Sequence, residues 1–154
     1  MCGIACIYRP GERVAEADIA PMVRVLRHRG PDGQGIWTKE GIALGHTRLA
    51  IIDPSEGAQP MQNATGDCVI TYNGELYNFR ELRDTLMRAG KTFRTDCDTE
   101  VVLAAYEEWG DECVDHFRGM FAFCIADFKK RQLFLARDPL GIKPLCYFQS
   151  GSTF

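Results

Sequence analysis

Residues 120–128, MFAFCIADF, constrain the fold more than any other stretch of the chain. Strict alternation sorts them into Phe121, Phe123 and Ile125 on one side and Met120, Ala122 and Cys124 on the other, and both sets are apolar or small. Such a strand is covered on both faces, so its sheet belongs inside a layered stack. It is followed by Lys129, Lys130 and Arg131 and then by QLFLARD, which reads as a hairpin with a charged tip. Period-two runs at 2–8, 34–38, 41–49, 68–73 and 132–137, with another near 145–149, make strands the dominant element.

Three helices are expected between the strands. Asp18 is placed to cap a helix carrying Ile19, Met22, Val23 and Leu26 at helical spacing, with Pro21 in its first turn. Asn78 and Glu81 have the spacing of a capping box ahead of Leu82 and Leu86, and Gly90 stops that helix. A third runs from about Thr99 to Trp109, with Val102, Ala105, Tyr106 and Trp109 as its apolar stripe and Gly110 as its end. Nothing repeats at a fixed period and no linker divides the chain. The sequence predicts a mixed α/β layered domain.

A chain of 154 residues, 45% hydrophobic and 25% charged, can bury a core of its own. Its net charge of −3 gives no general attraction to nucleic acid or anionic lipid. No apolar run approaches the roughly 20 residues that span a bilayer, and MCGIACIYRPGE has neither a basic leader nor a signal-type apolar region. The expectation is a cytoplasmic protein without a membrane or nucleic-acid partner. Seven cysteines, an odd number without a CxxC pair, fit neither a disulfide framework nor a zinc ribbon. His28, His46 and His116 are scattered in sequence, and no metal is expected. Cys124 and Cys146, inside apolar runs, read as small buried hydrophobes.

Cys2 is set apart by its position. Its neighbour Gly3 is small, and removal of Met1 leaves Cys2 with a thiol and a free α-amino group on one residue. An α-amino group titrates near pH ~7.7–8.0 and a thiol near ~8.5, so the amine is matched to take the thiol proton. Nucleophile and base then come from a single residue. Cys6 falls on the same strand face as Cys2, where packing is its expected role. Polar segments between the strands could complete a site. Arg48 closes an apolar run, as a surface ion-pair partner or as a ligand to an anion. Asn73-Gly74 offers a side-chain amide and an unobstructed backbone N–H, the equipment of an oxyanion hole, although an isolated Asn-Gly step is more often a hairpin turn.

The combination is more specific than its parts. MCGI at the start, RHRGPDG at 27–33, HTRLAIID at 46–53, YNGELYN at 72–78, CDTEV at 97–101, FRGMFAFCIAD at 117–127 and RDPLGIKPL at 137–145 together resemble the glutaminase domain of class II glutamine amidotransferases, across essentially the whole chain. HTRLAIID and YNGELYN are similar to the asparagine synthetase branch in particular.

That resemblance implies an α+β fold, the four-layer αββα sandwich of N-terminal nucleophile hydrolases. It implies hydrolysis of the glutamine side-chain amide to glutamate and ammonia. Cys2 would be the nucleophile, with Asn73 and Gly74 as the oxyanion hole. Arg48 would hold the α-carboxylate of glutamine, Glu75 and Asp98 its α-ammonium group, and Ile51 and Ile52 would line the pocket. Asp98, just ahead of the third helix, would also serve as its N-cap. His28 and His46 would order loops by hydrogen bonding.

Relatives of this type continue into a domain that activates an acceptor carboxylate, aspartate by default, with ATP and Mg. Its SGGxDS-like loop does not occur in these 154 residues. The expectation is therefore a truncated, C-terminally incomplete glutaminase domain, itself needing no cofactor, whose partners are glutamine and a synthetase domain or subunit that receives ammonia. The alternative is a catalytically impaired remnant or glutamine-binding module.

Overall fold

The computed structural model describes residues 1–50 and 57–154. Among the described residues, β1 (Gly3–Tyr8), β2 (Gly33–Lys39) and β3 (Ile42–Arg48) form one antiparallel sheet in the order β1-β3-β2. β4 (Met61–Gln62), β5 (Cys68–Leu76), β6 (Gly119–Asp127) and β7 (Gln132–Arg137) form a second, in chain order. The helices are α1 (Glu16–Val25), α2 (Phe79–Arg88) and α3 (Asp98–Trp109).

Side-chain alternation on these strands produces three separate cores, and the cores define the layers. Ile19 and Val23 of α1 pack on Ala5, Ile7 and Ala43, the outer face of the first sheet. Its inner face meets the second sheet through Ile42 and Leu44 against Val69, Cys124 and Ala126. The far face of the second sheet, with Ile70, Tyr72, Phe121, Phe123 and Ile125, is covered by Leu82 and Leu86 of α2 and Val101, Val102 and Ala105 of α3. The order is helix, sheet, sheet, helices, as the doubly apolar strand required. Phe121, Phe123 and Ile125 are at most 2% exposed, and each such side chain contributes about 1.5–3 kcal/mol relative to an exposed position.

The local expectations fared unevenly. α1 starts earlier than predicted, with Ala15 at the N-cap; Asp18 is the third helical residue, and its Oδ2 accepts the Ala15 N–H at 2.8 Å. Asp18 thus caps from inside the helix, and Pro21 falls in the second turn, where it cannot return a hydrogen bond to Ala17. Asn78 does stand at the N-cap of α2, but its side chain makes no capping bond. Its amide instead donates to the His116 carbonyl at 2.9 Å and accepts the Arg118 N–H at 3.0 Å, tying α2 to the 3-10 turn Gly110–His116 that leads into β6. Gly90 ends α2 as predicted, with φ at +93° and the paired closing bonds Gly90 N–H to Met87 O and Lys91 N–H to Leu86 O, both 3.0 Å.

No strand forms at 145–149, and Cys146, Tyr147 and Phe148 are exposed, against the buried role predicted for Cys146. The reason lies just upstream. The buried Asp138 carboxylate accepts the N–H groups of Phe121, Ile142 and Lys143 at 3.2, 2.8 and 2.9 Å, which turns the chain away from β7 and leaves the apolar run without a ladder to join. Among the described residues no helix is long and apolar enough to cross a membrane.

Candidate active site

Cys2 lies immediately before β1, and its main chain is held from two sides. Its carbonyl accepts the Arg29 Nε–H at 3.0 Å. The next N–H, of Gly3, donates at 3.1 Å to Thr47 Oγ1, whose own hydroxyl donates to Leu26 O at 3.1 Å. The RHRG segment can approach this closely because Gly30 has no side chain: a Cβ there would sit 2.3 Å from the Thr47 carbonyl carbon. The Cys2 thiol is partly exposed, with Sγ 3.4 Å from the Leu49 N–H nitrogen and 3.7 Å from its carbonyl oxygen.

The opposite wall is the part of the β5 edge that no strand covers among the described residues. Odd residues of β5 and its ends point their backbone groups at β6, as the Tyr77 N–H to Arg118 O and Phe128 N–H to Asp67 O bonds show. Even residues point away. β4 meets only Val69 and Ile70, so the N–H groups of Tyr72, Gly74 and Leu76 lie beyond its reach. Gln59 Oε1 accepts that of Tyr72 at 2.6 Å, and Asp98 Oδ2 accepts that of Leu76 at 3.0 Å. Between these two, parity turns the Gly74 N–H toward a cleft of about 110 Å³ lined by Cys2, Arg48, Asn73, Gly74, Glu75 and Asp98.

Every described residue predicted for the site therefore meets in one cleft. Ile51 and Ile52 lie outside the described residues. Asn73-Gly74 is not a turn: it sits within β5, paired with Ala122 and Phe121. Asp98 is not the N-cap of α3 but its first residue, behind Cys97. The carboxylate is thus at a helix N-terminus, where the dipole favours its charged form. Burial pushes the Asp98 carboxyl above the usual range, and the N–H of Leu76 and the hydroxyl of Tyr72 pull it back. Arg48 and Lys143 bring positive charge to the lining, Glu75 and Asp98 negative, a complement for a zwitterion.

All of residues 1–154 match the sequence model of the glutamine amidotransferase domain. The chain belongs to this family. Asparagine synthetase [glutamine-hydrolyzing] 3 of Bacillus subtilis is 47% identical over 135 residues, 86% of this chain and 22% of that protein. The Arabidopsis thaliana protein of the same name is 42% identical over 147 residues, 94% of this chain and 25% of that protein. The chain thus spans about a quarter of the length of these curated relatives. Among solved structures, the glutamine phosphoribosylpyrophosphate amidotransferase of B. subtilis superposes with a TM-score of 0.75 over 97% of this chain and 40% of that one, at 23% identity. That likeness is one of fold, and it agrees with the αββα layering.

The sequence reading assigned no site role to several other residues of this amidotransferase domain that line the cleft, Gln59, Tyr72 and Lys143 among them. Tyr72 and Lys143 lie inside quoted motifs, but nothing local marked either as part of a site. Gln59 precedes the second sheet, and its amide spans from Tyr72 N–H to Thr99 Oγ1 at 3.1 Å, a role fixed only by tertiary structure.

His46 was expected to order a loop. It lies instead in β3, 1% exposed, with Nδ1 3.3 Å from Thr71 Oγ1 across the two sheets and Nε2 without a partner among the described residues. Burial, helped by the Arg48 charge, lowers its pKa to about 4. The unfolded chain takes up this proton near pH ~6.5 and the folded domain only near 4, so His46 is expected to remove about 3 kcal/mol of stability as pH falls across that window, and none above it. Urea denaturation of the wild type and His46→Gln at pH 7 and pH 4 checks this. Equal losses in both proteins would contradict it.

Proposed function

We propose that the domain hydrolyses the side-chain amide of glutamine through a Cys2 thioester and delivers the ammonia to a synthetase of the asparagine synthetase type, with aspartate as the acceptor. The observation that carries this reading is the approach of the Cys2 thiol and of a Gly74 N–H that no described residue occupies to one cleft bearing charges of both signs. In this scheme Met1 is removed and the Cys2 amine takes the thiol proton. The thiolate adds to the amide carbon, and the oxyanion is held by the Asn73 carboxamide and the Gly74 N–H, each donor contributing about 3–4 kcal/mol in a typical oxyanion hole. Collapse of the adduct breaks the C–N bond as the amine returns the proton to the departing ammonia. Water then hydrolyses the γ-glutamyl thioester to glutamate and regenerates the thiol.

Arg48 would pair with the substrate α-carboxylate, and Glu75 and Asp98 with its α-ammonium group. None of these steps calls on a cofactor; ATP and Mg belong to acceptor activation in the synthetase part, and the reaction is assigned to the cytoplasm.

Mass spectrometry of the domain treated with a chloroketone analogue of glutamine tests the assignment. One adduct is expected, on residue 2 of a chain lacking Met1, and excess glutamine should protect against it. Labelling at another cysteine with residue 2 unmodified would overturn the reading.

A further inference from the structure

Tyr72 is 2% exposed yet reaches the cleft, and its hydroxyl donates to Asp98 Oδ2 at 3.0 Å. The same oxygen accepts the Leu76 N–H at 3.0 Å. One carboxylate oxygen is thus held by two donors from β5, which fixes where a side chain rooted on α3 stands relative to that strand. The ring also abuts the oxyanion edge: a Cβ on Gly74 would lie 2.7 Å from both Tyr72 Cζ and Oη. We infer that Tyr72 is a positioning residue that acts through Asp98, its hydroxyl holding the carboxylate where it receives the α-ammonium group of glutamine. This rests on the reading of the cleft as a glutamine site.

The charges around the pair support the direction of the bond. Burial, and next the Asp98 charge, push the Tyr72 phenol well above its usual range, so it stays a donor at every working pH. Asp98 is raised by burial and lowered by its two β5 donors, so losing one of them leaves the carboxyl harder to ionise. Among the described residues, the other ionisable groups lining this cleft are Glu75 on β5, Arg48 on β3, Lys143 in the turn after β7, Cys97 beside Asp98, Cys2 and the α-amino group of Met1. Tyr72→Phe changes none of them.

Tyr72→Phe is therefore expected to raise KM for glutamine about tenfold with kcat nearly unchanged, the scale of one hydrogen bond to a charged group. The acid limb of kcat/KM should move to higher pH. In an Asp98→Asn background the same substitution should add nothing to KM. An unmoved KM and acid limb, or an equal rise in KM without Asp98, would overturn the inference. If the wild type releases no glutamate from glutamine, it is the glutamine reading that fails. The Tyr72–Asp98 link is then decided by carboxyl NMR titration of Asp98 in both proteins, where an upward shift in Tyr72→Phe is expected and coincident curves would overturn it.

Discussion

Cys2→Ala is expected to abolish glutamate release, lowering kcat on the order of 10⁶-fold, the scale seen when a hydrolase loses its nucleophile. The fold should survive intact. Cys2 lies outside β1, its thiol hydrogen-bonds among the described residues to the Leu49 main chain alone, at 3.4 and 3.7 Å, and what fixes the residue is the bond of its own carbonyl to Arg29 and of the Gly3 N–H to Thr47, which alanine retains. Glutamine binding should also persist, because Arg48, Glu75 and Asp98 are untouched. Loss of turnover with unchanged melting and preserved binding is a pattern that a merely structural cysteine cannot give. Buried Cys124 and partly exposed Cys6, which pack between the sheets, supply the contrast: substitution there acts on the core. Steady-state assay of released glutamate beside calorimetry of glutamine binding is the measurement. A Cys2→Ala protein retaining even a tenth of wild-type turnover would place the nucleophile elsewhere.

The layering was legible because it rests on alternation, which the chain carries locally. MFAFCIADF specified a strand buried on both faces, and β6 is that strand; its partners β5 and β7 follow the same period. Helix ends were less legible wherever a polar side chain had a choice. Asp18 and Asn78 both have capping chemistry, yet one acts from the third helical position and the other is spent on the chain entering β6, a partner 38 to 40 residues away. The run at 145–149 has the pattern of a strand but no neighbour. Pattern sets which face is apolar; a strand also needs a ladder.

The site divides in the same way. Cys2, Arg48, Asn73, Gly74, Glu75 and Asp98 came from motifs, and they converge. What the motifs could not contain was the support: Gln59 and Asp98 occupying the N–H groups on either side of Gly74, and Tyr72 joining Asp98 to that edge. These are long-range bonds between unremarkable residue types, and only the folded chain brings them together. Asn73-Gly74 shows how little a dipeptide decides alone. The local signal favoured a turn, and nine consecutive ladder pairs between β5 and β6 override it.

Gly74→Ala is expected to damage chemistry and stability together. The added Cβ would lie 2.6 Å from the Met120 carbonyl oxygen and 2.7 Å from the Tyr72 ring and hydroxyl. Neither neighbour can give way cheaply. Met120 is in β6, whose register with β5 is fixed on both sides of the contact, and Tyr72 is packed in the core with its hydroxyl on Asp98. The strand edge must therefore shift, at a cost of about 1–3 kcal/mol. An oxyanion donor works only within a few tenths of an ångström of its optimum, so the same shift should lower kcat by about 10²–10³-fold. Gly33→Ala supplies the control, since a Cβ there would meet only Arg48 Cβ at an ordinary 3.8 Å. Urea denaturation and glutamate release, measured on both variants, separate the effects. If Gly74→Ala behaves like Gly33→Ala, the β5 edge is more compliant than its contacts allow, and the oxyanion must draw on the Asn73 carboxamide instead.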